Sequence, residues 1–246
     1  LGSDIAGTIE TIGSKVVRFQ VGEAVFGDIL GTWGGFAEYV CAPENALTLK
    51  PESLTFELAS TLPQPAVVAL QGIQNFGQVQ AGQKVLINGA GGGSGTFAVQ
   101  IAKLLGAEVT GVDSTKKLTM MESLGADHVI DYMLEDVTKN GEQYDLILDL
   151  VAAHSVFDYK RILSPKGKYY LVGGSVSYIL KTMIFGAFIS LNSKRKMQII
   201  GIKPNQGLED IIELIDSGKI KSVIDKRYSL SEVPEAMQYL SEGLAI

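Results

Sequence analysis

The chain has 246 residues, of which 46% are hydrophobic and 20% are charged, and its 21 basic and 27 acidic residues give a net charge of −6. This acidic balance, without a long basic run, argues against binding to nucleic acid or to an anionic membrane surface. We expect a globular protein of one large domain or two modest domains.

The cysteine content and the apolar segments narrow the cellular context. Cys41 is the single cysteine, so an intrachain disulfide and a zinc cluster built on cysteines are excluded, which fits a reducing compartment. We expect its thiol to be buried and unreactive, because the preceding residues AEYV are typical of a strand.

Residues 178–191 form the most apolar stretch, which is too short to span a membrane and is predicted to be a buried or interface helix. No signal peptide is recognised, and a soluble, cytoplasmic protein is predicted.

The first 64 residues contain short β-rich segments separated by glycines: DIAGTIETIG, VGEAVFG, GGFAEYVCAP and NALTLKP. Turn residues at this spacing favour an antiparallel barrel or sandwich. Residues 206–246 are predicted to contain a helix, a short strand near KSVIDKRY and a second helix. Ser229 and Glu232 could form a capping box at the start of that second helix.

Residues 65–205 show a different pattern, in which strands and helices alternate. The predicted strands are 85–88, 108–112, 128–130, 145–150, 168–172 and 197–202. Helical spacing between the strands is given by Phe97, Ile101, Leu104 and Leu105, and then by Leu118, Met121 and Leu124. This alternation predicts an α/β fold with a doubly wound parallel sheet.

A glycine cluster, NGAGGGSGTF at 88–97, lies between the first of these strands and its helix. In the register Ala90-x-Gly92-x-x-Gly95 it is a variant of the dinucleotide-binding pattern. Gly92 would let the backbone approach a pyrophosphate at the helix start, with Gly93 and Ser94 beside it, and Gly95 would let helix and strand pack closely. A tight turn without a ligand and an S-adenosylmethionine site are the alternatives. A P-loop is excluded because no Gly-Lys-Ser/Thr follows.

Several segments together resemble one family. They are LGSDIAGTIETIG, GGFAEYV, VLINGAGGGSGTFAVQIAKLLGAEVTGV, SLGADHVIDY, YDLILDLV and GKIKSVIDKRYSLSEVPEAMQYL. They resemble the zinc-independent medium-chain dehydrogenase/reductases, most closely the quinone oxidoreductase branch related to zeta-crystallin. The resemblance covers essentially the whole chain. It implies a Rossmann domain at 65–205, and an incomplete GroES-like catalytic domain formed by 1–64 and 206–246 that lacks segments at both ends.

No metal site is predicted. Zinc alcohol dehydrogenases of this superfamily carry Gly-His-Glu where this chain has Gly2-Ser3-Asp4. His128 and His154 have no cysteine or paired acid near them in the sequence, whereas catalytic zinc needs three good ligands. We therefore expect hydride transfer to an electron-poor small molecule, a quinone or an α,β-unsaturated carbonyl. No general acid and no other catalytic residue is identified.

The cofactor is predicted from conflicting signals. Asp113 ends the second strand, where a carboxylate would bind the ribose hydroxyls of NAD. The resemblance instead assigns Ser114, Lys117 and Tyr132 to the 2′-phosphate of NADP, although a solvated helix face would also explain the lysine. NADP is preferred and NAD is the alternative.

The nicotinamide half of the site is expected where the fourth and fifth strands end, at Leu150, Val151, Gly173 and Gly174. Asn88 is interpreted as structural, tying down the glycine turn. A homodimer is predicted through the apolar sixth strand, MQIIGI, by analogy with relatives. A non-enzymatic protein that kept the nucleotide fold, with a structural or partner-binding role, is the competing hypothesis.

Overall fold

The computed structural model describes residues 1–245 and divides into two compact units, one combining Leu1–Val67 with the described residues from Lys203 onward and the other formed by Val68–Ile202. The strands are β1 Asp4–Thr8, β2 Ala24–Asp28, β3 Thr48–Leu49, β4 Lys84–Asn88, β5 Glu108–Asp113, β6 His128–Asp131, β7 Tyr144–Asp149, β8 Leu163–Leu171 and β9 Lys196–Ile199. The helices are α1 Phe56–Ala59, α2 Pro63–Leu70, α3 Gly93–Leu104, α4 Leu118–Ser123, α5 Val156–Ile162, α6 Val176–Lys181, α7 Ala187–Asn192, α8 Leu208–Asp216 and α9 Val233–Ser241. π-helical turns at Gln71–Gly77 and Thr182–Gly186 follow α2 and α6.

The discontinuous unit contains a three-stranded antiparallel sheet in the order β1-β2-β3. Its small apolar core is centred on Phe19, Val25 and Leu47. The predicted capping box is confirmed, because Ser229 and Glu232 each bind the backbone of the turn that leads into α9.

The continuous unit is built on a six-stranded parallel sheet in the order β6-β5-β4-β7-β8-β9. The chain runs outward from β4 to β6 and then, on the other side, from β7 to β9. The predicted doubly wound sheet is therefore confirmed. All six predicted strands are present with shifted ends, the largest shift being that of β8, which begins at Leu163. The crevice of such a sheet lies at the carboxyl ends of β4 and β7, where the direction reverses.

The helix that follows the glycine cluster, α3, is buried on more sides than the single face predicted from its helical spacing. Residues 95–102 of α3 are buried without interruption. Leu104, predicted to share the buried face with Phe97 and Ile101, is exposed, because it is the last residue of α3 and lies beyond the buried run. Of the three residues predicted to share one helical face around α4, Met121 and Leu124 are buried and Leu118 is half-buried.

Two predictions for the discontinuous unit are wrong. Residues 36–43 form bends and coil instead of a strand, and Cys41 is exposed rather than buried, since no sheet covers this segment. No strand forms in KSVIDKRY, because within residues 1–245 this segment has no hydrogen-bonded partner strand.

The apolar stretch 178–191 is helical but is not buried. One face, formed by Thr182, Gly186 and Ile189, is buried, and a Cβ on Gly186 would lie 2.7 Å from the carbonyl oxygen of Met197 in β9. Tyr178 and Ile179 are half-buried, and six further large side chains are exposed: Leu180, Met183, Ile184, Phe185, Phe188 and Leu191. In the described chain, 1–245, no helix has the length and hydrophobicity needed to cross a membrane.

The antiparallel sheet holds two opposed carboxyl groups. Asp4 lies opposite Asp28 in the β1–β2 register, and burial, with a smaller contribution from the charge of Asp28, raises the pKa of Asp4 to about 7. Its ordinary value is 3.8, so the folded state favours the protonated form. The resulting stabilisation is complete below pH 3.8 and is lost as the pH rises through 7.

We therefore expect the free energy of unfolding to fall by roughly 1–2 kcal/mol between about pH 5.5 and pH 8 through Asp4. Asp4→Asn should remove this part of the pH dependence. Urea unfolding at several pH values measures the effect. An unchanged pH profile in Asp4→Asn would assign the dependence to other groups.

Candidate dinucleotide-binding site

The glycine turn connects the carboxyl end of β4 to the start of α3. Gly89 has a φ of 86°, a conformation that favours glycine. The N–H groups of Gly89 and Ala90 both donate to the carbonyl oxygen of Val112, at 3.0 and 3.1 Å, which ties the turn to the end of β5. Gly92 is the N-cap of α3 and offers no side chain to the helix start. The first N–H groups of α3 are therefore available to an anion, in a region of positive potential.

The glycines of the turn differ in what surrounds them. A Cβ on Gly95 would lie 2.1 Å from the Gly89 carbonyl oxygen and 2.6 Å from two backbone carbons of Ala90, so α3 packs directly on the turn. A Cβ on Gly92 would meet the Gly89 oxygen at 3.5 Å and no other described atom within 4 Å. The backbone at Gly92 is therefore open to an approaching ligand. Gly93 is exposed beside it, and Ser94 is half-buried.

Asp113 ends β5 and holds the turn in place. One carboxylate oxygen accepts the N–H of Gly91 at 2.9 Å, and the other accepts the N–H of Ser114 at 2.8 Å. The Lys117 ammonium lies 3.4 Å from the second oxygen, and both side chains are largely buried. Both carboxylate oxygens are thus engaged with groups of the protein.

The other two residues assigned to the adenosine end lie next to Asp113. Ser114 is half-buried, and the Tyr132 side chain is 60% exposed. The Tyr132 N–H donates to the Asp113 carbonyl oxygen at 3.2 Å. Asp113, Ser114, Lys117 and Tyr132 are therefore neighbours at the carboxyl end of β5, and of these four only the Tyr132 side chain is mostly exposed.

The residues assigned to the nicotinamide half lie along the same edge of the sheet. The Leu150 N–H donates to the Asn88 carbonyl oxygen at 3.0 Å, and Val151, which is 55% exposed, lies against the turn, since its Cγ2 would be 2.6 Å from a Cβ on Gly89. Gly173 has no described atom near the position of a Cβ. Gly174 has a φ of 146° and packs closely on Ala152.

A buried polar network behind this edge was not predicted. Asn88 does not bind the glycine turn through its side chain, as interpreted from the sequence; its amide nitrogen donates to Asp149 at 2.8 Å and to the Tyr159 hydroxyl at 2.9 Å. Tyr169 donates to the other oxygen of Asp149 at 2.8 Å. The one sequence signal is that Asp149 ends a buried strand, as Asp113 does. Its partners come from other strands and helices, which a local pattern cannot identify.

Comparison with known proteins places the chain in a family. Residues 1–52 match the model of the alcohol dehydrogenase GroES-like domain, and residues 124–246 match the model described as zinc-binding dehydrogenase. The mitochondrial NAD(P)H oxidoreductase RTN4IP1 of Danio rerio is 30% identical over 272 residues, covering 100% of this chain and 70% of that protein. The chloroplast envelope quinone oxidoreductase homolog of Arabidopsis thaliana is 29% identical, covering 99% of this chain and 76% of that protein.

A solved structure agrees with these relatives. The quinone oxidoreductase from Coxiella burnetii superposes with a TM-score of 0.84 at 27% identity, covering 99% of this chain and 76% of that one. The chain belongs to the medium-chain dehydrogenase/reductase family, in its quinone oxidoreductase-like branch. It is a member of a family of oxidoreductases, with a Rossmann-type sheet and a GroES-like N-terminal domain.

Proposed function

We propose that the protein is an NADPH-dependent reductase that transfers hydride to a quinone or an α,β-unsaturated carbonyl without zinc. The relatives support an NAD(P)H oxidoreductase, and the names of two of them, the Arabidopsis quinone oxidoreductase homolog and the tomato 2-methylene-furan-3-one reductase, support this acceptor class. The observation that supports NADPH over NAD is that both oxygens of the Asp113 carboxylate already accept hydrogen bonds from backbone N–H groups of the protein.

An NAD site of this fold needs a carboxylate that accepts the ribose hydroxyls. Here the Asp113 oxygens already accept two backbone N–H groups, and Lys117 pairs with the same carboxylate. A 2′-phosphate beside Asp113 alone would meet a repulsion on the order of 4 kcal/mol per charge pair at an effective dielectric constant near 20. The Lys117 ammonium offsets that repulsion, and the hydroxyls of Ser114 and Tyr132 supply further donors.

The pyrophosphate is assigned to Gly92, Gly93 and Ser94 at the start of α3. The open space at Gly92 fits a ligand that must approach the backbone itself. Leu150, Val151, Gly173 and Gly174 would then border the nicotinamide half, where the apolar side chains exclude water and the open space at Gly173 leaves room for the ring. When bound, the cofactor supplies the hydride, and these residues position it.

The side chains present do not fit a zinc centre, although one matching family model is described as zinc-binding. Ser3 stands where the zinc enzymes carry the histidine, and Cys41 is the single thiol of the chain. His128 lies 3.2 Å from Glu108 and His154 lies 3.9 Å from Asp136. Catalytic zinc requires three protein ligands together, and within residues 1–245 no group of three or more such side chains could hold an ion.

The cofactor preference is tested with Lys117→Met, which keeps the packing of the side-chain stem and removes its charge. We expect NADPH affinity to fall about ten- to a hundredfold, because a charge-assisted contact contributes roughly 1.5–3 kcal/mol. NADH affinity should barely change. Lys116→Met, on the exposed neighbour, is the matched control. Isothermal titration with both cofactors measures the effect, and an equal loss for NADPH and NADH would contradict the 2′-phosphate assignment.

The acceptor class is tested by turnover of NADPH with menadione and with an α,β-unsaturated aldehyde, against a saturated aldehyde as control. We expect the first two to be reduced, and we expect dialysis against a chelator to leave the rate unchanged. Tight NADPH binding without turnover of either acceptor would favour the non-enzymatic hypothesis.

A cytoplasmic location stays a prediction, since the relatives include mitochondrial and chloroplast proteins.

We also propose a homodimer through β9. This strand is at the end of the sheet order, so one of its edges has no partner strand in the described part of the chain. The exposed apolar side chains of 178–191 lie next to it, and Phe157 of α5 extends them by packing on Phe185 with ring centroids 5.3 Å apart. An apolar surface beside an open strand edge is a site for association, and a second copy can pair both.

Phe188→Glu is expected to shift the protein from dimer to monomer at micromolar concentration, because it places a charge in the proposed apolar contact. Leu104→Glu, at an exposed apolar position on α3, should leave the dimer intact. Sedimentation velocity measures both variants. A monomeric wild-type protein would contradict this proposal.

A further inference from the structure

The Asp149 carboxylate is fully buried at the end of β7 and accepts four hydrogen bonds. One oxygen accepts Asn88 Nδ2 at 2.8 Å, the Ala152 N–H at 2.9 Å and the Val151 N–H at 3.2 Å. The other oxygen accepts the Tyr169 hydroxyl at 2.8 Å. A buried carboxylate needs such partners to offset the loss of water.

No cation contributes to this arrangement. Among the ion pairs of the described residues, none includes Asp149, so neutral donors alone stabilise it. Burial, reinforced by the charge of Asp149, raises the pKa of the Tyr169 hydroxyl above its ordinary value. Tyr169 therefore keeps its proton and remains a donor. A charge held by oriented dipoles is sensitive to their geometry, so the network constrains the segments that supply the donors.

Those segments border the proposed nicotinamide half. Val151 lies against Gly89 of the turn, and Ala152 adopts a φ of 63°, an unusual value for a residue with a side chain. Ala152 also packs against Gly174. Asp149 thus connects the residue before the glycine turn, the loop after β7 and the turn after β8.

A second tyrosine lies beside this network. The Tyr169 and Tyr178 hydroxyls lie 3.3 Å apart, and Tyr178 donates to the carbonyl oxygen of His154. Tyr178 belongs to α6, which begins at Val176 and is separated from Gly173 and Gly174 by its N-cap, Ser175. Two side chains therefore bind the loop after β7: Asp149 accepts its N–H groups at Val151 and Ala152, and Tyr178 of α6 donates to its carbonyl oxygen at His154.

We propose that Asp149 is a positioning residue, which acts through the N–H groups of Val151 and Ala152 to hold the loop that orients the nicotinamide half of the cofactor. This inference rests on the proposed function. It assigns Asp149 no contact with the cofactor and no part in the binding of the adenosine half, which lies beside Asp113 on the other side of the glycine turn.

The test compares whole cofactor with its adenosine fragment. Asp149→Asn preserves the size of the side chain but removes its charge and turns one acceptor into a donor. We expect its affinity for NADPH to fall about tenfold, while its affinity for adenosine 2′,5′-bisphosphate stays within about twofold of wild type. Tyr169→Phe removes one donor and should give a smaller change of the same kind.

Asp145→Asn is the matched control, since Asp145 lies in the same strand at the opposite end and accepts from the Lys84 N–H and the Ser164 hydroxyl. It should change neither affinity. An equal loss of both ligands in Asp149→Asn, or no loss of either, would overturn the inference; if this variant does not fold, the same comparison in Tyr169→Phe decides. Wild-type protein that binds neither ligand would instead refute the proposed function.

Discussion

Gly95→Ala is expected to destabilise the protein by roughly 3 kcal/mol or more. The added Cβ would lie 2.1 Å from the Gly89 carbonyl oxygen and 2.6 Å from backbone carbons of Ala90. Backbone atoms cannot move aside as the end of a flexible side chain can, so α3 would have to shift away from β4. Urea unfolding measures the change.

Gly7→Ala in β1 is the control for the general cost of replacing a glycine, because no described atom lies within 4 Å of its Cβ position. A loss below about 1 kcal/mol in Gly95→Ala would mean that the turn relaxes easily. It would contradict the view that close packing of α3 on the turn requires glycine.

Gly92→Ala should have the opposite profile, with stability kept and cofactor binding lost. The φ of Gly92 is −89°, which alanine adopts readily, and the new methyl group would meet the Gly89 oxygen at an ordinary contact distance of 3.5 Å. The same methyl group would fill the space that the pyrophosphate needs next to the backbone. We expect NADPH affinity to fall about a hundredfold, which corresponds to roughly 2.7 kcal/mol.

The measurement is a titration with NADPH alongside a urea unfolding curve for the same preparation. Gly92→Ala should unfold within about 0.5 kcal/mol of wild type, the range of substitutions that disturb no packing. If its NADPH affinity equals that of the wild type, the pyrophosphate does not lie over Gly92. That result would leave Gly95 as a structural residue of the turn and would remove the main support for the phosphate site.

The sequence by itself determined the architecture of the Val68–Ile202 unit. Strand and helix periodicity repeats along this segment, and the glycine pattern marks a connection where backbone approaches backbone closely. These are local signals, because a period of two or of 3.6 residues is expressed within a few consecutive side chains. The family resemblance rested on the same local segments, and the matching relatives support it.

The tertiary structure decided what local patterns leave open. Cys41 follows AEYV, a sequence typical of a strand, but it is exposed, because no neighbouring strand pairs with its segment. The apolar stretch 178–191 carries enough hydrophobic side chains for a buried helix, yet the sheet covers one face only. Whether a segment is buried depends on which other parts of the chain pack against it, and the sequence of the segment alone does not contain this information.

The same reason explains the candidate site. That Asp113 ends a strand was predicted, but the direction of its carboxylate, toward the N–H of Gly91, depends on a hydrogen bond across 22 residues. Asp149 could be recognised as a strand end, but its partners Asn88 and Tyr169 lie 61 and 20 residues away. Sequence patterns show which residue types end each strand, whereas the packing of distant strands determines which of their polar atoms meet and which remain free for a ligand.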